Sequence, residues 1–185
     1  MTLTNDLEIK EQMERLRSHG ITSASKQMTR KPDGPWYYEQ LGLGFNFRMT
    51  DIQAALGKSQ LKRLDDFVEK RDELVQNDHE TFADVPVQKQ VVPESVYSAR
   101  HLYVIRVSPH QHLSLFQTFR NKGIGVNLHD TPVHLQPYYR NLGFHDGMFP
   151  EAEKYGKEAI SLPLYPKLTD ENQKKVITIL KDWFE

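Results

Sequence analysis

Between Thr50 and Asp78 the chain runs without a proline, and its apolar side chains recur three or four residues apart. Ile52, Leu56, Leu64, Phe67 and Leu74 fall on one stripe of a helix. Thr50 supplies an N-cap oxygen. Gln53 stands three residues on, where its side chain can reach back to the Thr50 N–H. A single helix over 51–78 is predicted, a strut joining an N-terminal extension to a compact C-terminal part. Gly57 inside that helix costs about 1 kcal/mol against alanine, so close packing is expected there. Lys62, Arg63, Asp65, Asp66, Glu69, Lys70 and Arg71 read as its solvated face.

On either side of this helix the pattern changes. Ahead of it, Asn5 with Glu8 three residues later marks a first helix carrying Ile9, Met13 and Leu16, which Gly20 ends. Residues 21–41 read as a long loop around the turn "KPDGP", with Trp36, Tyr37 and Tyr38 needing a surface to pack on. Beyond Asp78, short strands are predicted at 87–92, 101–107 and 125–129. Helices are predicted at 110–122, at 151–162 and, capped by Thr169, across Val176, Leu180 and Trp183. This order points to an α+β layer with one helix-covered sheet.

Bulk composition narrows the function classes. In 185 residues, Lys plus Arg number 24 and Asp plus Glu 25, and no basic run stands out, so a nucleic-acid surface is not expected. Cysteine is absent, which removes disulfides, thiolate metal sites and cysteine nucleophiles. No apolar run reaches the length of a membrane span, and the N-terminus lacks the flank and core of a signal peptide. A cytoplasmic protein is the default expectation.

Two stretches invite chemistry. "LGLGFNF", 41–47, begins like a nucleotide loop, but a dinucleotide fingerprint would place a third glycine where Phe47 stands, and no strand precedes it. The "GKS" at 57–59 has no first glycine correctly placed for a phosphate loop. The plain reading is a turn with Phe45 and Phe47 buried and Asn46 exposed between them, near a helix N-terminus where it could donate to an anion. The second stretch is "GVNLHDTPVHLQPYY", 125–139. Alternation puts Asn127 and His129 on one strand face and Val126, Leu128 and Asp130 on the other. A strand ending in polar groups before a proline-rich loop makes a pocket rim. His129 and His134 are five apart across a proline with no third ligand, so a metal site is not expected. His110 and His112 open a helix for which Ser108 is the simpler cap. No nucleophile elbow is present.

The strings "LRSHGI", "GPWYYEQLGLGFNFRMTDIQAALGKSQLKRLDDFVEKR", "GIGVNLHDTPVHLQPYYRNLGF" and "FPEAEKYGKEAISLPLYPKLTDENQ" together resemble the DegT/DnrJ/EryC1/StrS family of pyridoxal-phosphate sugar aminotransferases. The likeness covers nearly the whole chain and looks strongest to the branch that aminates a UDP-4-keto-6-deoxy-hexosamine; spore-coat polysaccharide enzymes are also similar. The resemblance implies an α+β fold: the C-terminal small domain of a fold-type-I aminotransferase, a helix-covered, mainly antiparallel sheet, plus the end of the large domain. On that basis 1–50 would be the end of the large domain with an interface loop, 51–78 the connecting helix and 79–185 the small domain. The lysine that links the cofactor would lie ahead of Met1, so the chain is expected to be a truncated aminotransferase, inactive alone. It would bind no pyridoxal 5'-phosphate covalently, and none of its own lysines matches the linking position. The alternative is a non-catalytic assembly module. The resemblance further implies that Asn46 reaches a neighbouring subunit's cofactor, and that Asn127, Leu128, His129 and Asp130, with His134 more weakly, line the sugar-nucleotide rim. Asp130 stands where the family carries an aromatic residue. A homodimer or a partner aminotransferase subunit is implied, with neither nucleic acid nor membrane as a partner.

Overall fold

A computed structural model describes residues 2–185. The chain divides into two compact units, one ending at Leu61 and the other running over Lys62–Glu185.

The first unit opens with α1, Leu7–Arg17. Its cap is Asp6, whose carboxylate accepts the Ile9 N–H at 3.1 Å. The expected cap at Asn5 is therefore displaced by one residue; Glu8 instead accepts from Gln12 within the helix. The helix ends as the Gly20 N–H returns to the Arg15 carbonyl at 2.8 Å, with His19 and Gly20 both at positive φ. Strand β1, Ile21–Thr22, pairs antiparallel with β2, Glu39–Gln40, so the long loop is the tip of a hairpin. Glu39 locks that tip. Its carboxylate accepts from the Thr29 N–H at 2.6 Å, the Arg30 N–H and the Tyr37 hydroxyl. The Thr29 N–H above all holds its carboxyl below the usual range. Arg30 in turn stacks on Tyr37 and forks onto Asp33.

Helix α2, Asp51–Leu61, has the predicted reciprocal cap: Gln53 accepts the Thr50 N–H at 3.0 Å, and Thr50 Oγ1 accepts the Gln53 N–H at 3.3 Å. It stops short of the predicted span. Lys62 and Arg63 break the helix, and α3, Leu64–Thr81, begins anew after Arg63 at φ −111° and ψ 10°. Ile52 and Leu56 are exposed, and a Cβ at Gly57 would meet nothing within 4 Å, so the close packing expected there is not found among the described residues.

The second unit holds β3, Gln88–Lys89; β4, Tyr103–Arg106; and β5, Ala159–Leu162, antiparallel in that order. Only a short part of the predicted 87–92 strand is paired. The predicted strand at 125–129 shrinks to one bridge, in which Asn127 and Ser161 exchange backbone hydrogen bonds of 3.1 and 2.8 Å. The predicted helix at 151–162 divides into α6, Pro150–Glu158, and β5, whose four residues are all buried. Tyr103 and Ile105 of β4 lie opposite Leu162 and Ile160 of β5. They face a core completed by Val75 of α3, by Leu115 and Phe119 of α4 (Pro109–Asn121), and by Val176 and Leu180 of α7 (Asp170–Phe184). Thr169 caps α7 by accepting the Asn172 N–H, as expected. Ser108 makes no such bond; its hydroxyl engages His110 instead.

Asp78 is buried beneath α7 and accepts from Gln173 Nε2 at 2.8 Å. Burial raises its carboxyl from 3.8 to about 6, against the opposing hydrogen bond from Gln173. Between those values the folded chain keeps a proton that the unfolded chain has released, so stability falls as pH rises through that window and levels off above it. The contribution is at most about 3 kcal/mol. Asp78→Asn is expected to flatten this slope, read from urea unfolding at pH 4.5, 5.5 and 7. A variant that keeps the full wild-type pH dependence would place its origin elsewhere.

Candidate functional site

Each unit carries one candidate element. In the first, the glycine-rich loop closes the C-terminal end of α1. The Phe45 N–H donates to the Leu16 carbonyl at 2.7 Å, the Phe47 N–H to the Arg17 carbonyl at 3.0 Å, and the His19 N–H to the Phe45 carbonyl at 2.8 Å. Ser18 and Asn46 form an antiparallel bridge. A helix ends with unpaired carbonyls and negative potential, and this loop spends its donors on them. They are not free to cradle a phosphate. The glycines allow the approach: a Cβ on Gly44 would stand 2.2 Å from the Gly20 nitrogen, and one on Gly20 2.0 Å from the Gly42 oxygen.

Phe45 and Phe47 are not buried. They are 56% and 67% exposed and stack with ring centroids 4.7 Å apart. The expected contrast of two buried rings about an exposed Asn46 is therefore not found: all three side chains are exposed. Asn46 is exposed, and its side chain makes no hydrogen bond among the described residues, so its amide could serve a ligand.

In the second unit the predicted alternation holds over 126–128 and then lapses: His129 is half-buried like Leu128, and Asp130, expected on the Val126 face, is exposed. Val126 is buried in the core and Leu128 packs against it, whereas Asn127 is exposed and His129 half-buried. His129 Nδ1 lies 3.3 Å from the hydroxyl of Ser161, which is buried in β5. Asp130 is exposed. The loop beyond passes a short turn, Val133–Leu135, and the four-residue helix α5, Pro137–Arg140. It is seated on α6: a Cβ on Gly156 would come within 3.0 Å of the Pro132 ring. Arg140 braces the same loop, donating to the Leu135 carbonyl and to Asp146.

His134 is buried against α6. Its Nε2 lies 3.0 Å from Glu153 of α6, and its ring meets Phe149 edge-on. Glu153 also accepts the Gly147 N–H at 2.7 Å and the Phe149 N–H at 3.4 Å. The bond with His134, foremost among these, holds its carboxyl below the usual range. Sequence reasoning passed over Glu153. Its one local signal is a carboxylate in the first turn of a helix opened by Pro150. Among the described residues no group of three or more His, Asp or Glu side chains is placed to hold a metal, and no described helix is long and apolar enough to cross a membrane.

A model of the DegT/DnrJ/EryC1/StrS aminotransferase family matches residues 1–181, and the chain belongs to this family. Spore coat polysaccharide biosynthesis protein SpsC of Bacillus subtilis (strain 168) is 34% identical over 189 residues, a match covering 98% of this chain and 48% of the relative. Among solved structures, Helicobacter pylori PseC, an aminotransferase involved in the biosynthesis of pseudoaminic acid, superposes with a TM-score of 0.84 at 28% identity, over 98% of this chain and 47% of its own. Streptococcus pneumoniae Spr1654 in its PLP form gives 0.82 at 30% identity, over 97% and 45%. The chain spans about half the length of the curated relatives it matches. The expected α+β fold with a helix-covered antiparallel sheet is the fold observed.

Proposed function

We propose that this chain supplies the C-terminal, rim-bearing part of a pyridoxal-phosphate sugar-nucleotide aminotransferase, and that the lysine linking the cofactor is provided by other protein. The observation that carries this reading is the first unit's lack of a core. Among its described residues it buries no large hydrophobic side chain, while Leu7, Leu43, Phe45, Phe47, Ile52 and Leu56 stand exposed. Monomeric proteins rarely leave so much apolar surface in water. Such a surface calls for protein to cover it. When bound, pyridoxal phosphate supplies the electron sink for moving an amino group. Asn46 fits one contact to it, a free amide donor for a phosphate or substrate oxygen. No lysine among the described residues is buried, and Lys89 spends its ammonium on the carbonyls of His79 and Phe82. Asn127, His129 and Asp130 are assigned to the sugar-nucleotide rim, with a UDP-4-keto-6-deoxy-hexosamine as the substrate favoured by the family likeness. Asp130 offers sugar hydroxyls a carboxylate acceptor where the family has a ring.

Pyridoxal phosphate added to the chain alone is expected to give no turnover, and borohydride to trap it on no single defined lysine. Stable trapping at one lysine together with transamination would overturn the reading. Non-catalytic assembly is the second reading, favoured by Trp36, 75% exposed on a hairpin tip that Glu39 and Arg30 hold rigid. Light scattering at several concentrations, with and without a full-length relative, tests it; a chain that stays monomeric throughout counts against it.

A further inference from the structure

Strand β5 is apolar but for one residue. Ala159, Ile160 and Leu162 carry no polar side-chain atom, while Ser161 brings a hydroxyl into a position that is only 5% exposed. A buried hydroxyl costs free energy unless it is hydrogen-bonded. Its cross-strand neighbour on β4, Val104, offers carbon alone. The partner comes instead from outside the three-stranded sheet: Ser161 Oγ lies 3.3 Å from His129 Nδ1, and among the described residues this is the one hydrogen bond of either side chain. A hydroxyl both donates and accepts, so the bond forms whichever ring nitrogen carries hydrogen. The backbone of the same serine holds Asn127. The Asn127 N–H donates to the Ser161 carbonyl at 3.1 Å, and the Asn127 carbonyl accepts the Ser161 N–H at 2.8 Å. From Leu128 to Thr131 the described chain makes no further backbone hydrogen bond. Two rim positions, 127 and 129, are thus tied to a single residue of a core strand, one by backbone and the other by side chain.

We propose that Ser161 is a positioning residue: its hydroxyl fixes the His129 ring beside the backbone-held Asn127, so that a sugar nucleotide at the rim meets both in one set arrangement. This rests on the reading of that rim as a substrate contact. Ser161 is itself buried and acts through His129. A side chain ordered before the ligand arrives spares the entropy of ordering it on binding. A packing residue would need no oxygen; alanine can fill the same strand position but has nothing to offer Nδ1.

The test is a double-mutant cycle on the full chain, with UDP-N-acetylglucosamine as probe and the His129 ring followed by 13C relaxation. In the wild type the ring should be ordered, and its resonances and the Asn127 amide should both move when the probe is added. Ser161→Ala should loosen the ring while hydrogen exchange at the Asn127 amide stays slow, because the backbone bridge remains. Binding should weaken about fivefold, the scale of one neutral hydrogen bond. In a His129→Ala background the same substitution should change binding no further. Equal losses in both backgrounds would show Ser161 acting on the fold at large and would overturn the positioning role. A ring that stays ordered without the hydroxyl, or a loosened ring with unchanged binding, would overturn it too and leave the rim reading standing. A probe that moves neither His129 nor Asn127 would sink the rim reading and the ligand role together; the ring dynamics would then still report whether Ser161 anchors His129. Should Ser161→Ala fail to fold, the wild type decides, since a freely moving His129 ring in the folded chain overturns the proposal and an ordered one supports it.

Discussion

Leu180→Ala is expected to lower the unfolding free energy of the second unit by about 3 kcal/mol, the usual cost of a large aliphatic side chain removed from a core that cannot close over the gap. Leu180 is 0% exposed and belongs to the cluster formed by β4, β5, α3 and α4. The same cluster holds Phe119, Leu115 and Ile105, all fully buried. Side chains anchored in a sheet and in separate helices have little freedom to move into the vacated volume. The unfolding can be followed in urea through Trp183, which packs against the same cluster on α7. The matched control is Leu113→Ala. Leu113 lies on α4 two residues before Leu115 but is 64% exposed, so its truncation should stay within about 0.5 kcal/mol. Equal effects from Leu180 and Leu113 would mean that this core is not where the unit's stability resides.

The same contrast shows how much was legible in the sequence. Periodicity identified α4 and α7 because each buries one face, as with Leu115, Phe119, Val176 and Leu180. It failed at β5. Ala159, Ile160, Ser161 and Leu162 are buried on both faces, and a short strand so placed has no alternation to separate it from the helix that runs into it. It failed again at Lys62–Arg63, where neither glycine nor proline marks the break and both flanking segments are helical. Capping chemistry read correctly at Thr50 and Thr169, where the bond closes within three residues. The site divides along the same line. The alternation of Asn127 with Leu128 is local and was readable. The pairing of His134 with Glu153, 19 residues away, depends on how α6 lies beneath the loop and could not be read from spacing. The function of Gly44 was hidden for the same reason, since its neighbour is the backbone of Gly20.

Gly44→Ala is therefore expected to open the loop that carries Asn46, while Gly42→Ala leaves it closed. The added methyl at position 44 would stand 2.2 Å from the Gly20 nitrogen, 2.6 Å from the His19 carbonyl carbon and 2.9 Å from the Leu16 oxygen. All three are backbone atoms, so no side-chain rotation relieves the clash. Relief requires the strand to lift from α1, which breaks the bonds from the Phe45 and Phe47 N–H groups to Leu16 and Arg17. A Cβ at Gly42, two residues earlier, would meet nothing within 4 Å. Overpacking of this kind costs about 1–3 kcal/mol, so hydrogen exchange at the Phe45 and Phe47 amides should quicken by about 10- to 100-fold in Gly44→Ala. In Gly42→Ala it should hardly change. On the proposed reading of Asn46, any complementation of a full-length relative should fall in the first variant and persist in the second. Unaltered exchange in Gly44→Ala would show that the glycines are not what seats this loop on the end of α1, and with that Asn46 would lose the fixed backbone on which its proposed role depends.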